Sequence, residues 1–153
     1  MNGGKYPSAI ALAEAVAAQW PKNRQGTPYV VCTGGEPLLQ LDEKLVDAFH
    51  QIGFEVAIET NGTQVPPKGI DWICVSPKAG ADLVLTKGQE LKLVYPQPLA
   101  MPAQFEQLEF EHFYLQPMDG PNGPLNTKLT LEYCLQHPKW SMSVQTHKLL
   151  NIP

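Results

Sequence analysis

Apolar and polar positions alternate between two periods along this chain, and the switches divide it into elements. In "SAIALAEAVAAQW", residues 8–20, the apolar positions Ile10, Ala13, Val16, Ala17 and Trp20 recur at helical spacing. Ser8 is placed to cap that helix and Pro21 to stop it. "YVVCT", residues 29–33, is a short β-branched run of the kind that forms a buried strand. "LDEKLVDAFHQIG", residues 41–53, returns to the helical period. Leu41, Leu45, Val46, Phe49 and Ile52 form its stripe, and Gly53 ends it.

"FEVAIET" (54–60), "WICVS" (72–76) and "ELKLVYP" (90–96) predict three further strands. A short helix is expected around Ala103–Leu108, then a strand ending at Gln116-Pro117. "NTKLTLEYCLQHP" (126–138) predicts a helix with Leu129, Tyr133 and Leu135 among its apolar positions, and "WSMSVQTHK" (140–148) a last strand. Strands alternating with helices predict an α/β protein with a mainly parallel sheet. The stretches between Thr60 and Trp72 and between Ser76 and Glu90 are too short for a full covering helix, so those crossovers are expected to be loops. No internal repeat or low-complexity tract interrupts the pattern.

Composition narrows the class. With 153 residues, 43% hydrophobic and 17% charged, the chain suits one packed domain, 1–153. Fifteen prolines, many between periodic segments, point to shaped loops. A net charge of −4 without a basic block argues against a nucleic-acid partner, and no apolar run approaches membrane-spanning length. The N-terminus lacks the layout of a signal peptide, which favours the cytoplasm. Cys32, Cys74 and Cys134 lie far apart without CxxC-type spacing, so no local zinc or iron–sulfur motif is present. Cys32 and Cys74 read as small buried hydrophobes. His50 and His137 read as surface residues, and Lys87 and Lys92 as solvated charges flanking a strand.

Four strand ends carry hydrogen-bonding, turn-forming residues: Thr33-Gly34-Gly35-Glu36, Glu59-Thr60-Asn61-Gly62, Ser76-Pro77-Lys78 and Gln116-Pro117-Met118-Asp119. Ligands of parallel α/β folds lie beyond the carboxyl ends of the strands, so four such ends make a coherent site. Each alone is also an everyday turn. Gly34 and Gly35 allow positive φ or a close backbone approach. Glu36 is placed to accept from an ammonium group, or to cap a helix that Pro37 begins; the two readings are compatible. His147-Lys148, near the end, reads by default as solvated. The blunt ending "NIP" also allows a docked terminus whose carboxylate is a fixed anion.

The strand end Thr33-Gly34-Gly35-Glu36-Pro37 resembles that of the radical S-adenosylmethionine superfamily. Together with "IETNGT", "WICVSPKA", "KGQELKLV", "LQPMDGP", "LNTKL" and "QTHKLLNIP", in order from about Gly3 to Pro153, it resembles the 7-carboxy-7-deazaguanine synthase family. That resemblance implies a partial, modified (β/α) barrel of the radical S-adenosylmethionine type, usually a homodimer. It implies radical ring contraction of 6-carboxy-5,6,7,8-tetrahydropterin to 7-carboxy-7-deazaguanine, with loss of ammonia, on the route to queuosine. S-adenosylmethionine, a [4Fe-4S] cluster and Mg²⁺ would serve the reaction.

Carried to this chain, the resemblance places Gly35 against S-adenosylmethionine, with Glu36 beside it. Ser76, Pro77 and Lys78 fall at its ribose and carboxylate region, and Gln116, Pro117, Met118 and Asp119 at its adenine end. Thr33 and the terminal carboxylate of Pro153 would meet the pterin. No residue is singled out as catalytic. The family's three cluster cysteines and its Mg²⁺-ligating hydroxyl precede the first helix and have no counterpart here, and Cys32, Cys74 and Cys134 are wrongly placed to substitute. The expectation is therefore an N-terminal truncation, the C-terminal three-quarters of the core with first strand and cluster loop missing. Such a fragment is expected to be inactive alone and, with an open sheet edge, prone to association. The alternatives are a non-catalytic relative that binds S-adenosylmethionine or a nucleoside and acts through a partner subunit, and an unrelated α/β ligand-binding module.

Overall fold

The computed structural model describes residues 4–21, 23 and 25–152. Its elements run α1 (Ala9–Ala17), β1 (Tyr29–Cys32), α2 (Glu43–Gln51), β2 (Glu55–Thr60), β3 (Trp72–Val75), β4 (Lys87–Tyr95), β5 (Glu109–Pro117), α3 (Gly123–Gln136), β6 (Trp140–Met142) and α4 (Thr146–Leu150). The strands follow one another in the sheet in chain order, and the β1–β2, β3–β4, β4–β5 and β5–β6 pairings are all parallel. β1 and β6 stand at opposite ends of that order, so the sheet is open among the described residues. The chain divides within β3 into two compact units: residues up to Thr60 with Gln64–Ile73, and Asn61–Thr63 with Cys74 onward.

In the first unit both helices are capped as their sequences dictate. Ser8 Oγ accepts from Ala11 N–H, and Asp42 Oδ1 from Leu45 N–H. α2 turns Val46, Ala48 and Phe49 inward, and Gly53 ends it with φ +84. These residues join Ala13, Leu41, Phe54, Val56 and Ile58 in one core. Phe54 meets Phe49 and Trp20 at ring-centroid distances of 6.0 and 5.9 Å. Fully burying a side chain of this size contributes about 1.5–3 kcal/mol. Two stripe positions fall outside the core: Ile10 is 58% and Ile52 39% exposed. Ile52 lies past the last helical residue, so the spacing no longer carries it inward.

In the second unit Leu91, Leu93, Phe113 and Leu115 are buried on one face of β4 and β5, and Phe113 packs edge-on against Trp140 at 5.2 Å. The alternate positions Lys92, Tyr114 and Gln116 are polar and less buried. No helix occupies 61–71 or 76–86, as the short crossovers required. Gly62 instead accepts from the Val84 and Leu85 N–H groups and lies buried beneath Leu83 and Val75.

Several expectations need correction. β4 begins at Lys87, so Lys87 and Lys92 belong to the strand rather than flank it. The helix expected at 103–108 is a 3-10 turn over Pro102–Gln104. α3 buries Asn126 and Thr130, while Leu135 is 74% exposed. His137 is half-buried, stacked on Tyr133 at 3.9 Å. His50 is exposed but bonded to Asp71. The last strand stops at Met142, and His147 and Lys148 lie in α4. Pro117 explains the stop. Ser143 N–H donates to Leu115 C=O, and the next parallel ladder bond to Ser143 C=O would need an N–H that Pro117 lacks.

Candidate cofactor-binding site

In the first unit β1 delivers Thr33, exposed, to the carboxyl edge of its sheet. Gly34 and Gly35 follow with φ +83 and +55, and a Cβ on either would meet nothing within 4 Å. Their conformation, not crowding by the protein, calls for glycine there. It presents bare backbone to open space, which fits the approach of a ligand's polar groups. Glu36 then caps the 3-10 turn Pro37–Leu39, its Oε1 accepting from Leu38 N–H at 3.1 Å. The same oxygen accepts from Thr60 Oγ at 2.6 Å, and Thr60, the last residue of β2, is 2% exposed. The capping role foreseen for Glu36 and Pro37 is therefore present, and a buried hydroxyl additionally fixes the carboxylate.

In the second unit the Asn61 side chain accepts from Thr63 N–H and Oγ at 2.9 and 2.7 Å, closing a local turn. Ser76, Pro77 and Lys78 leave the end of β3. Pro77 is buried, and Lys78 Nζ donates to Ser76 Oγ at 2.9 Å. The next residue, Ala79, donates its N–H to Gln97 Oε1 at 3.3 Å.

Gln116 and Pro117 end β5, and Met118 and Asp119 follow. Met118 N–H donates to Tyr95 C=O at 2.7 Å, and its C=O accepts from Asn126 Nδ2 at 2.8 Å. Asp119 accepts from Gly120 N–H at 2.9 Å and pairs with Lys148. The Lys148 bond first, then the Gly120 bond and the Lys148 charge, hold the Asp119 carboxyl below its ordinary pKa.

All four residues from Gln116 to Asp119 line a cavity of about 200 Å³, with Thr127 of α3, Met142 at the end of β6 and Lys148 of α4. Ligand pockets commonly measure roughly 300–1,000 Å³. This one is smaller.

The Ser76 and Gln116 groups thus share the carboxyl edge of the second unit's parallel strands, as the pattern of strand ends foretold, and the Thr33 group takes the corresponding edge of the first. Pro153 lies outside the described residues. Asn126, the bond from Thr60 to Glu36 and the cavity-lining role of Lys148 escaped the sequence reading. Asn126 and Thr130 stand four apart in α3, the spacing of one helix face, which is the signal that could have paired them.

The thiols do not fit an iron–sulfur cluster. Cys74 is buried in β3, and burial pushes the Cys32 and Cys134 thiols up, away from the thiolate that ligates iron. Among the described residues no group of three His, Cys, Asp or Glu side chains is placed to hold a metal ion. No helix among them is long and apolar enough to cross a membrane.

A parallel α/β sheet in this strand order, with polar loops beyond its strand ends, has the architecture of a partial (β/α) barrel. No protein-family model matches the chain. It is 60% identical over 98% of its length to the 7-carboxy-7-deazaguanine synthase of Bradyrhizobium diazoefficiens, and 59% identical over 99% to that of Caulobacter vibrioides; it covers 71% and 72% of those proteins. The crystal structure of QueE from Escherichia coli superimposes with a TM-score of 0.69 at 28% identity, over 90% of this chain and 63% of that one. The chain belongs to the 7-carboxy-7-deazaguanine synthase family, spanning about seven-tenths of these two curated relatives. The resemblance carried by its strand-end motifs is borne out.

Proposed function

We propose that this chain supplies the S-adenosylmethionine- and pterin-facing surface of a 7-carboxy-7-deazaguanine synthase. The reaction is the radical ring contraction of 6-carboxy-5,6,7,8-tetrahydropterin to 7-carboxy-7-deazaguanine, in queuosine and related 7-deazapurine biosynthesis. The observation that carries the reading is the Thr33–Glu36 turn: two left-handed glycines expose backbone at a strand end, and a buried threonine locks the acid beside them.

S-adenosylmethionine would supply the radical chemistry once bound with its reductant. Gly35 receives its amino acid end and Glu36 stands beside it. Ser76, Pro77 and Lys78 hold the ribose and carboxylate region. Gln116, Pro117, Met118 and Asp119 contact the adenine along the wall of the cavity they line. The Thr33 hydroxyl bonds the pterin, and the Pro153 carboxylate accepts from its N–H groups.

Cluster and Mg²⁺ chemistry is assigned to none of the described residues: the three thiols do not fit a cluster, and no group of three His, Cys, Asp or Glu side chains is placed to hold an ion. The 153-residue chain by itself is therefore expected to bind S-adenosylmethionine without cleaving it. Homodimerisation and a cytoplasmic location complete the proposal. Calorimetric titration with S-adenosylmethionine, run beside iron analysis after anaerobic reconstitution, tests it. Binding without stoichiometric iron is expected. Absence of binding defeats the cofactor reading, and a full cluster defeats the reading that the three thiols do not ligate one.

A further inference from the structure

Met118 sits in the cavity wall with both of its backbone polar groups turned away into the protein. Its N–H is held by the last residue of β4, Tyr95, at 2.7 Å. Its C=O is held by Asn126 of α3 at 2.8 Å. Asn126 is only 8% exposed, and its own backbone groups are both bonded within α3. Asn126 N–H donates to Asn122 C=O, and Thr130 Oγ donates to Asn126 C=O at 2.7 Å. A buried amide survives only where its hydrogen bonds are made, so a polar residue here is costly unless its bond has a use. An apolar residue of the same size would fill the space and leave Met118 C=O to turn.

We propose that Asn126 is a positioning residue for the nucleoside part of the cofactor. With its N–H held from β4 and its C=O held from α3, the Met118 backbone has both polar groups committed within the protein, which leaves its side chain as the part available to a ligand. A polarizable sulfur is a good surface for the face or edge of an aromatic ring. The bond from Asn126 therefore acts on ligand affinity through Met118, without touching the ligand. This inference rests on the reading of the Gln116–Asp119 loop as the adenine contact.

The test is calorimetric titration of the whole chain with S-adenosylmethionine, comparing Asn126→Leu with Thr130→Val. The second variant loosens the same helix face but leaves the bond to Met118 in place. Asn126→Leu should weaken binding about fivefold or more, the worth of one hydrogen bond, and Thr130→Val much less at an equal loss of melting temperature. A variant-free measurement accompanies it: exchange of the Asn126 side-chain amide protons should slow on adding S-adenosylmethionine to the unaltered chain. Binding that falls only in step with stability, or an amide whose exchange ignores the ligand, overturns the role of Asn126 while leaving the cofactor site standing. If the unaltered chain does not bind at all, the cofactor reading falls and this inference with it.

Discussion

Asp71 ties α2, β2 and the connection before β3 together through one carboxylate. Its Oδ2 accepts from Val56 N–H at 2.7 Å and meets His50 Nε2 at 2.8 Å, while its own N–H returns to Val56 C=O at 2.9 Å. Burial alone would raise its pKa. The Val56 bond, the His50 bond and the His50 charge outweigh that and hold it below the ordinary carboxylate value. A depressed folded-state pKa stabilises the fold fully above the unfolded-state value and loses that stabilisation as pH falls through the folded-state value. Urea melts should show a decline at acid pH, below the usual Asp range, that Asp71→Asn reduces. An equal decline in both proteins would remove Asp71 from the account.

Gly62 supports a second prediction at this scale. Its φ is +79, and an added Cβ would lie 2.6 Å from a Leu83 methyl and 2.7 Å from a Val75 methyl. Leu83 has some freedom, but Val75 is β-branched and fully buried, so it cannot swing aside. Gly62→Ala combines left-handed strain with overpacking and should cost roughly 2–4 kcal/mol in equilibrium unfolding. Gly34→Ala carries the backbone strain without the collision and should cost about 1 kcal/mol. A Gly62 variant no worse than the Gly34 variant would refute the crowding argument.

Among the elements, those with a clear period were legible and those set by a partner strand were not. α1, α2 and the first five strands stand close to where periodicity put them, but β1 is not the buried strand its β-branched run suggested: Tyr29 and Val31 on one of its faces are exposed. β6 depended on something outside itself. The alternation from Trp140 onward continues, but Pro117 on the neighbouring strand withholds the next ladder donor. α3 failed as an apolar stripe for a related reason. Its inner face carries Asn126, which holds the loop after β5, and Thr130, which bonds Asn126 C=O within the helix; the first demand is not revealed by the helix's own residues. The strand-end loops were legible as polar turns at the carboxyl edge. What binds Glu36 and Met118 from behind was not, since Thr60 and Asn126 are distant in sequence from the groups they hold.

Among the described residues three connections between neighbouring strands, after β2, β3 and β4, carry no α-helix, the last only a 3-10 turn. Crossovers made of loop still require right-handed, non-local pairing but contribute little local structure of their own. The pairing of β4 with β5 is different, because both strands run nine residues where the others run three to six. β4 is also bonded on both sides, and Leu91 and Leu93 within it are fully buried. Unequal strand length becomes unequal resistance to opening. In deuterated solvent the amides of Leu91 and Leu93 should be the last to exchange, released only when the second unit unfolds as a whole, while β1 and β6 exchange through local opening. Exchange of Leu91 as fast as that of Val30 would refute this. The long pair is then the rigid floor on which the Gln116–Asp119 loop is mounted, and the cavity inherits the slowest clock in its unit.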